Sequence, residues 1–299
     1  MTITIKFNNN TVHNYNSIEE ILKIDNYNDI IYIKCSCNNL SNLPGLPNSL
    51  KILSCGCNNL SNLPELPHTL IELCCANNNL SSLPKLPNSL KLLWCSYNKI
   101  SDLPNLPNSL IELHCSANKL ISLPELPNSL INMYCNYNKL SSLPKLPNLL
   151  KVLACYNNNL SSLPELPNSL IHLGCSKNNI SNLPKFPKSL IHIYCDNNSL
   201  YNLPELPNSL THLYCYDNNL FSLPKLPNSL IQFNYNNNPI YKHIQYYFNG
   251  DRNKYFEYQN KIQKIFSNKI GIWFLDCKYN PKYLYCRKRL MKEYEELYT

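Results

Sequence analysis

Ten cysteines, Cys35, Cys55, Cys75, Cys95, Cys115, Cys135, Cys155, Cys175, Cys195 and Cys215, stand twenty residues apart. Thiols in such a register could ligate soft metals or exchange disulfides if they reached solvent as thiolates. Facing a dry core, they would instead behave as small hydrophobes of raised pKa. Side chains in parallel register also point the same way rather than toward one another, which disfavours disulfides. The core reading expects all ten buried, whereas Cys37, Cys57 and Cys74 fall at other phases, on or near the exposed face. A second row, His172, His192 and His212, keeps the same spacing. Three neutral imidazoles in line could share Zn²⁺ or Ni²⁺, with Asp196 or Asp217 nearby. Without metal they would form a pH-sensitive stripe. No nucleophile–base pair, paired carboxylates or Gly-rich phosphate loop is present, and five glycines in 299 residues leave little for one.

What positions these rows is a twenty-residue repeat, the mark of stacked coils that each bury an apolar edge against the next. In Leu50-Lys51-Ile52-Leu53-Ser54-Cys55, Leu53 and Cys55 lie two apart on one strand face, Ile52 and Ser54 on the other. Stacking aligns these strands into a parallel sheet at about 4.8 Å spacing, so eleven of them would extend roughly 50 Å. An Asn recurs from Asn38 to Asn238, where its amide can turn the chain and satisfy neighbouring backbone. The return limb, Leu60-Ser61-Asn62-Leu63-Pro64-Glu65-Leu66-Pro67, excludes a helix through two prolines three apart and favours an extended path. Between the prolines run Glu65, Lys85, Asn105, Glu125, Lys145, Glu165, Lys185, Glu205 and Lys225, which would form weak surface pairs across coils.

The pattern Leu-x-x-Leu-x-Cys-x-x-Asn-x-Leu, completed by Leu-Pro-x-Leu-Pro-x-Ser-Leu, resembles the short leucine-rich repeat of bacterial type III secreted effectors. The match spans residues 30 to about 240, with Cys in place of the third strand aliphatic. The resemblance implies a leucine-rich-repeat solenoid, conventionally an α/β superhelix, with a concave parallel β-sheet, convex extended limbs and helical terminal caps. Some effectors of this type append a ubiquitin-ligase domain with a catalytic Cys. About sixty residues follow the repeats here, and Cys277 follows Asp276 rather than preceding an x-Asp, so that activity is not expected. The Asn/Tyr/Lys/Ile-rich composition and the tail Asn280-Pro281-Lys282-Tyr283-Leu284-Tyr285-Cys286-Arg287-Lys288-Arg289-Leu290 also resemble repeat proteins of giant DNA viruses of amoebae.

Three regions follow: an N-terminal cap at 1–29, the repeats at 30–240 and a helical, basic C-terminal cap at 241–299. Solenoid ends need covering. Met1 to Phe7 alternates like a strand, and Ser17 with Glu20 reads as a capping box opening a short helix. Tyr255, Tyr258, Ile262, Ile265 and Phe266 keep near-helical spacing within Asp251–Phe266, Ile272–Leu275 is an apolar run, and a last helix would begin at Pro281. Net charge is +8, of which residues 240–299 carry +6 through 12 Lys/Arg against 6 Asp/Glu. The nearly neutral repeats show no nucleic-acid groove. No apolar run approaches the roughly 20 residues of a membrane span. Cysteine usage and Asn-x-Ser triplets beside buried leucines point to a reducing, cytoplasmic setting.

On the strand face the expected binding residues are Trp94, Tyr97, His114, Tyr134, Tyr137, Tyr156, Tyr194, Tyr214 and Tyr216, with His172, His192 and His212. Other coils carry Ile52, Glu72, Glu112, Ala154 and Gly174 there, and such variation on an invariant frame marks a tuned surface. Tyr and Trp are common interface anchors. The expectation is a non-catalytic, cofactor-free, monomeric scaffold that grips a protein partner. By resemblance, the partner is a host factor in the host cytosol. The alternatives are metal binding by the His row, or docking of Lys278, Lys282, Arg287, Lys288 and Arg289 to nucleic acid or an acidic membrane.

Overall fold

The computed structural model describes residues 2–261. The expectations on Ile262, Ile265, Phe266, Ile272–Leu275, the helix from Pro281 and the basic tail from Lys278 to Arg289 lie outside the described residues. The chain divides into two compact units, Met1–Ile240 and Tyr241–Thr299.

The first unit is a solenoid. β1 (Ile3–Phe7) and β2 (Val12–Tyr15) form a hairpin, followed by the one-turn helix α1 (Ile18–Ile21) and β3 (Ile30–Lys34). Each later coil contributes one three-residue strand: β4 (Ile52–Ser54), β5 (Glu72–Cys74), β6 (Leu92–Trp94), β7 (Glu112–His114), β8 (Asn132–Tyr134), β9 (Val152–Ala154), β10 (His172–Gly174), β11 (His192–Tyr194), β12 (His212–Tyr214) and β13 (Gln232–Asn234). Strands β3 to β13 run parallel in chain order, and β1 and β2 complete the 13-stranded sheet antiparallel at one end. Register advances by one repeat per strand, as in Leu53↔Leu73 and His172↔His192. A residue's phase in the repeat therefore sets its surroundings.

Leu53, Cys55 and Leu60 are fully buried, as are their equivalents in most coils. Limbs such as 61–67 have no regular secondary structure, as two prolines per limb require. The Asn row closes the coils. Asn58 donates through Nδ2 to the carbonyls of Cys35, Cys55 and Gly56 at 2.9, 3.0 and 3.3 Å. Its Oδ1 accepts from the Asn38 and Leu40 amides, both at 3.0 Å. One side chain thus satisfies backbone groups of two coils that burial would otherwise leave unpaired.

A second clasp lies at the repeat's serine. Ser89, Ser109, Ser129, Ser169 and Ser189 each donate Oγ–H to a leucine carbonyl of the preceding coil at 2.6–2.7 Å. Leu149 occupies this phase in one coil and is exposed.

The ends depart from expectation in detail. The N-terminal helix exists, with Glu20 N–H donating to Ser17 Oγ at 3.3 Å. Glu20 reaches back to the Asn16 amide at 3.0 Å. The larger N-terminal feature, however, is the β1–β2 hairpin, so this end is sheet rather than helix. Near the other end, α2 (Pro239–Phe248) begins just before the helical region expected at 241–299, although no helix was placed at these particular residues, and Pro239 sits in its first turn, a favoured place for proline. Within the second unit residues 252–261 are helical, Ile244 and Tyr255 are buried, and Tyr255 packs edge-on to Phe248 at 5.7 Å.

The limb charges do not pair directly. Among the described residues the ion pairs within 4.0 Å are His114–Glu112 and Lys254–Asp251, so none joins the Glu and Lys side chains between the prolines.

Candidate interaction face

The strand carbonyls and amides are spent on neighbouring coils, which leaves the alternate side chains to form the face. Its sharpest row is the last position of each strand: Ser54, Cys74, Trp94, His114, Tyr134, Ala154, Gly174, Tyr194, Tyr214 and Asn234. Trp94 and Tyr194 are exposed at 38% and 39%, and His114, Tyr134 and Tyr214 are half-buried.

These rings touch across coils in two groups. In the first, Trp94 meets His114 edge-on at 5.9 Å, and His114 stacks on Tyr134 at 4.3 Å and 24°. Glu112 Oε1 lies 2.5 Å from His114 Nε2, fixing the imidazole. In the second, Tyr194 stacks on Tyr214 at 5.2 Å and 12°, and Tyr214 donates its hydroxyl to Gln232. Ala154 and Gly174 separate the groups, and a Cβ added at Gly174 would meet only ordinary contacts, the nearest Tyr156 Cδ1 at 3.8 Å. Packing therefore does not demand glycine there. Offset and edge-on ring pairs contribute about 0.5–1.5 kcal/mol beyond the area they bury.

The histidine row is real but inward-looking. His172 Nδ1 and His192 Nδ1 are 2.9 Å apart, and His192 and His212 ring centroids are 4.5 Å apart. His212 Nδ1 bonds Thr211 Oγ1 at 2.8 Å. Burial, then His172 and His212, lower the pKa of His192. The expected carboxylate ligands are engaged elsewhere. Asp196 is buried and accepts from Ser176 Oγ at 2.6 Å and Asn197 Nδ2 at 3.1 Å. Asp217 accepts from Asn237 Nδ2 at 2.7 Å. Among the described residues no group of three or more His, Cys, Asp or Glu could hold a metal ion. At His172, His192 and His212 the face therefore offers an imidazole stack, and among the described residues no carboxylate joins it in a group of three that could hold a metal ion.

Tyr97 and Tyr137 are not on the strands. They occupy the following turn with left-handed backbone, φ 57° and 55°, and are exposed at 60% and 50%. Tyr137 meets the half-buried Tyr156 edge-on at 5.3 Å. Burial, then the neighbouring Asp196, raise the pKa of the half-buried Tyr216. The whole turn column, Cys37, Cys57, Asn77, Tyr97, Ala117, Tyr137, Asn157, Lys177, Asn197, Asp217 and Asn237, has positive φ. Sequence reasoning missed this because no glycine marks it. Asn and Asp at several of its positions were the available clue. It named Asp196 only as a carboxylate near the His row and did not foresee its engagement with Ser176 and Tyr216, one coil away on either side.

The ten-cysteine column is completely buried. Burial pushes the thiols of Cys35, Cys95 and Cys175 up to about 12. They are core atoms. Cys37 and Cys57 are exposed and Cys74 half-buried. A hydrogen bond from the Cys57 side chain raises the pKa of Cys37, and Lys34 opposes it.

No family model and no curated protein matches the sequence. Solved structures do. YopM from Yersinia enterocolitica is 38% identical over 68% of this chain and 45% of its own, with TM-score 0.67. YopM from Yersinia pestis, a leucine-rich effector protein, is 41% identical over 70% of this chain and 61% of its own, also at 0.67. The chain therefore spans about half the length of these relatives. Coil period, sheet register and these likenesses agree: the repeats of this chain are leucine-rich repeats of the bacterial effector type.

Proposed function

We propose that the chain is a non-catalytic scaffold whose strand face grips a protein partner, with Trp94, Tyr134, Tyr194 and Tyr214 as anchors. The supporting observation is the aromatic row at one strand phase, prestacked across coils on a frame that does not need those rings for its core. Rings already ordered by their neighbours lose little conformational freedom on binding, and Tyr and Trp recur as interface anchors. Leucine-rich-repeat folds typically serve as such scaffolds, and the effector likeness supports a host protein as partner, met in the host cytosol. No helix among the described residues is long and apolar enough to cross a membrane.

The test is affinity capture from amoebal cell extract with wild type and with the Trp94→Ala/Tyr134→Ala/Tyr214→Ala variant, both checked for unchanged far-UV circular dichroism. Host proteins enriched by wild type should be lost with the variant. Equal recovery by both would remove the strand face from consideration.

A further inference from the structure

Two cysteines escape the buried column in a way that folding does not explain. Cys37 and Cys57 occupy the same turn phase of adjacent coils, and both are exposed. Their coils are joined at that point: Cys37 N–H donates to Gly56 O at 3.0 Å and Cys57 N–H to Ala76 O at 2.8 Å. Both have left-handed backbone, φ 59° and 54°. That region favours glycine and asparagine, and a cysteine there carries a conformational cost. Asn77, Asn157, Asn197 and Asn237 fill this phase elsewhere. Neither burial nor backbone preference accounts for sulfur at these two places.

The two thiols are neighbours: the Cys57 side chain perturbs the Cys37 thiol, and the Asn77 amide lies 3.7 Å from Cys57 Sγ, placed to donate to it. Lys34 supplies positive charge near Cys37. The thiolate is the form that ligates metal, and a bound cation displaces the thiol proton. Adjacent coils set the two side chains about one strand spacing, ~4.8 Å, apart and parallel. A disulfide prefers Cβ atoms about 3.5–4.5 Å apart and turned toward each other. One bridging atom suits the parallel arrangement better. A four-ligand zinc site is excluded among the described residues, where no third His, Cys, Asp or Glu completes the set.

We propose that Cys37 and Cys57 together form a two-coordinate site for a soft monovalent cation of the copper(I) class, which thiolates select. On binding, both thiols release their protons to solvent as two sulfur–copper bonds form. The copper stays Cu(I), so no electron donor or acceptor takes part.

The experiment titrates the fully reduced, full-length chain anaerobically with Cu(I) held by the chromogenic chelator bicinchoninate, and reads copper removed from the coloured complex. Wild type is expected to take one Cu(I) per chain at low excess. Cys37→Ser and Cys57→Ser should each abolish that uptake while circular dichroism stays unchanged. The Cys74→Ser/Cys277→Ser/Cys286→Ser variant should retain it. Uptake that survives in Cys37→Ser/Cys57→Ser overturns the site. Uptake lost in the triple variant overturns its two-coordinate form.

Discussion

Cys55 and Cys57 lie two residues apart in one coil, yet one is sealed in the core and the other is open to solvent. Burial raises the pKa of Cys55 well above its ordinary value. Cys57 neighbours the Cys37 thiol and faces the Asn77 amide. The same element in the same coil is thus a packing atom at one phase and an available ligand at the next but one. Stacking multiplies the contrast, because every coil repeats the phase and every phase becomes a column. Chemistry in this protein is decided by the column a residue joins.

The buried side of that comparison breaks most easily at the Asn ladder. Asn158 donates to the Cys135, Cys155 and Tyr156 carbonyls and accepts from the Leu140 amide. Asn158→Ala leaves these groups short of partners in the core and is expected to cost about 3 kcal/mol. Urea denaturation measures it, and Asn157→Ala, one residue away in the turn, supplies the comparison. Equal small losses in both would deny the ladder its role.

Next comes sulfur itself. Cys115→Ser places a hydroxyl in a dry column and should destabilise by about 1–3 kcal/mol. Cys57→Ser, at the exposed phase, should stay within about 0.5 kcal/mol of wild type. Thiol labelling sharpens the same contrast. In the native chain Cys37 and Cys57 should react with a disulfide reagent, and the ten column thiols should react only on unfolding. Prompt labelling of column thiols under native conditions would contradict their burial.

The turn column offers a smaller gain. Ala117 has φ 53°, so Ala117→Gly should stabilise by about 0.5–1 kcal/mol by relieving the left-handed strain. A loss of stability on this change would show that the turn imposes no such strain.

The histidine stack gives the gentlest effect. The folded chain holds the pKa of His192 below its ordinary value through burial and then through His172 and His212. The unfolded chain therefore takes up the proton more readily, so the stack's contribution is complete above about pH 6.5 and is lost as pH falls below it. Denaturation midpoints at pH 7.5 and 5.0 should diverge less in His192→Gln than in wild type. Identical divergence would assign the acid sensitivity elsewhere.

Much of the fold was legible because a repeat repeats its evidence of burial. Leu53, Cys55, Asn58 and Leu60 recur at one phase each, and their roles in core and ladder followed from side-chain chemistry alone. The ends were less legible: the β1–β2 hairpin and α2 occur once, so no second copy discloses their pattern. At the interaction face, spacing placed Trp94, Tyr134, Tyr194 and Tyr214 together in one row. It also placed Tyr97 and Tyr137 on the strand face, which the structure corrects to the left-handed turn.

By itself the sequence determined the coil, its period, the dry thiols and the buried amide ladder, since each needs only a side chain's solubility and a fixed phase. The tertiary structure alone decided which rings stack, that Asp196 is committed to Ser176 and Asn197, that the imidazoles face one another, and that Cys37 and Cys57 are neighbours in solvent. Those outcomes depend on ångström-scale approach between residues twenty apart, set by how one coil seats on the next, and composition does not encode that distance.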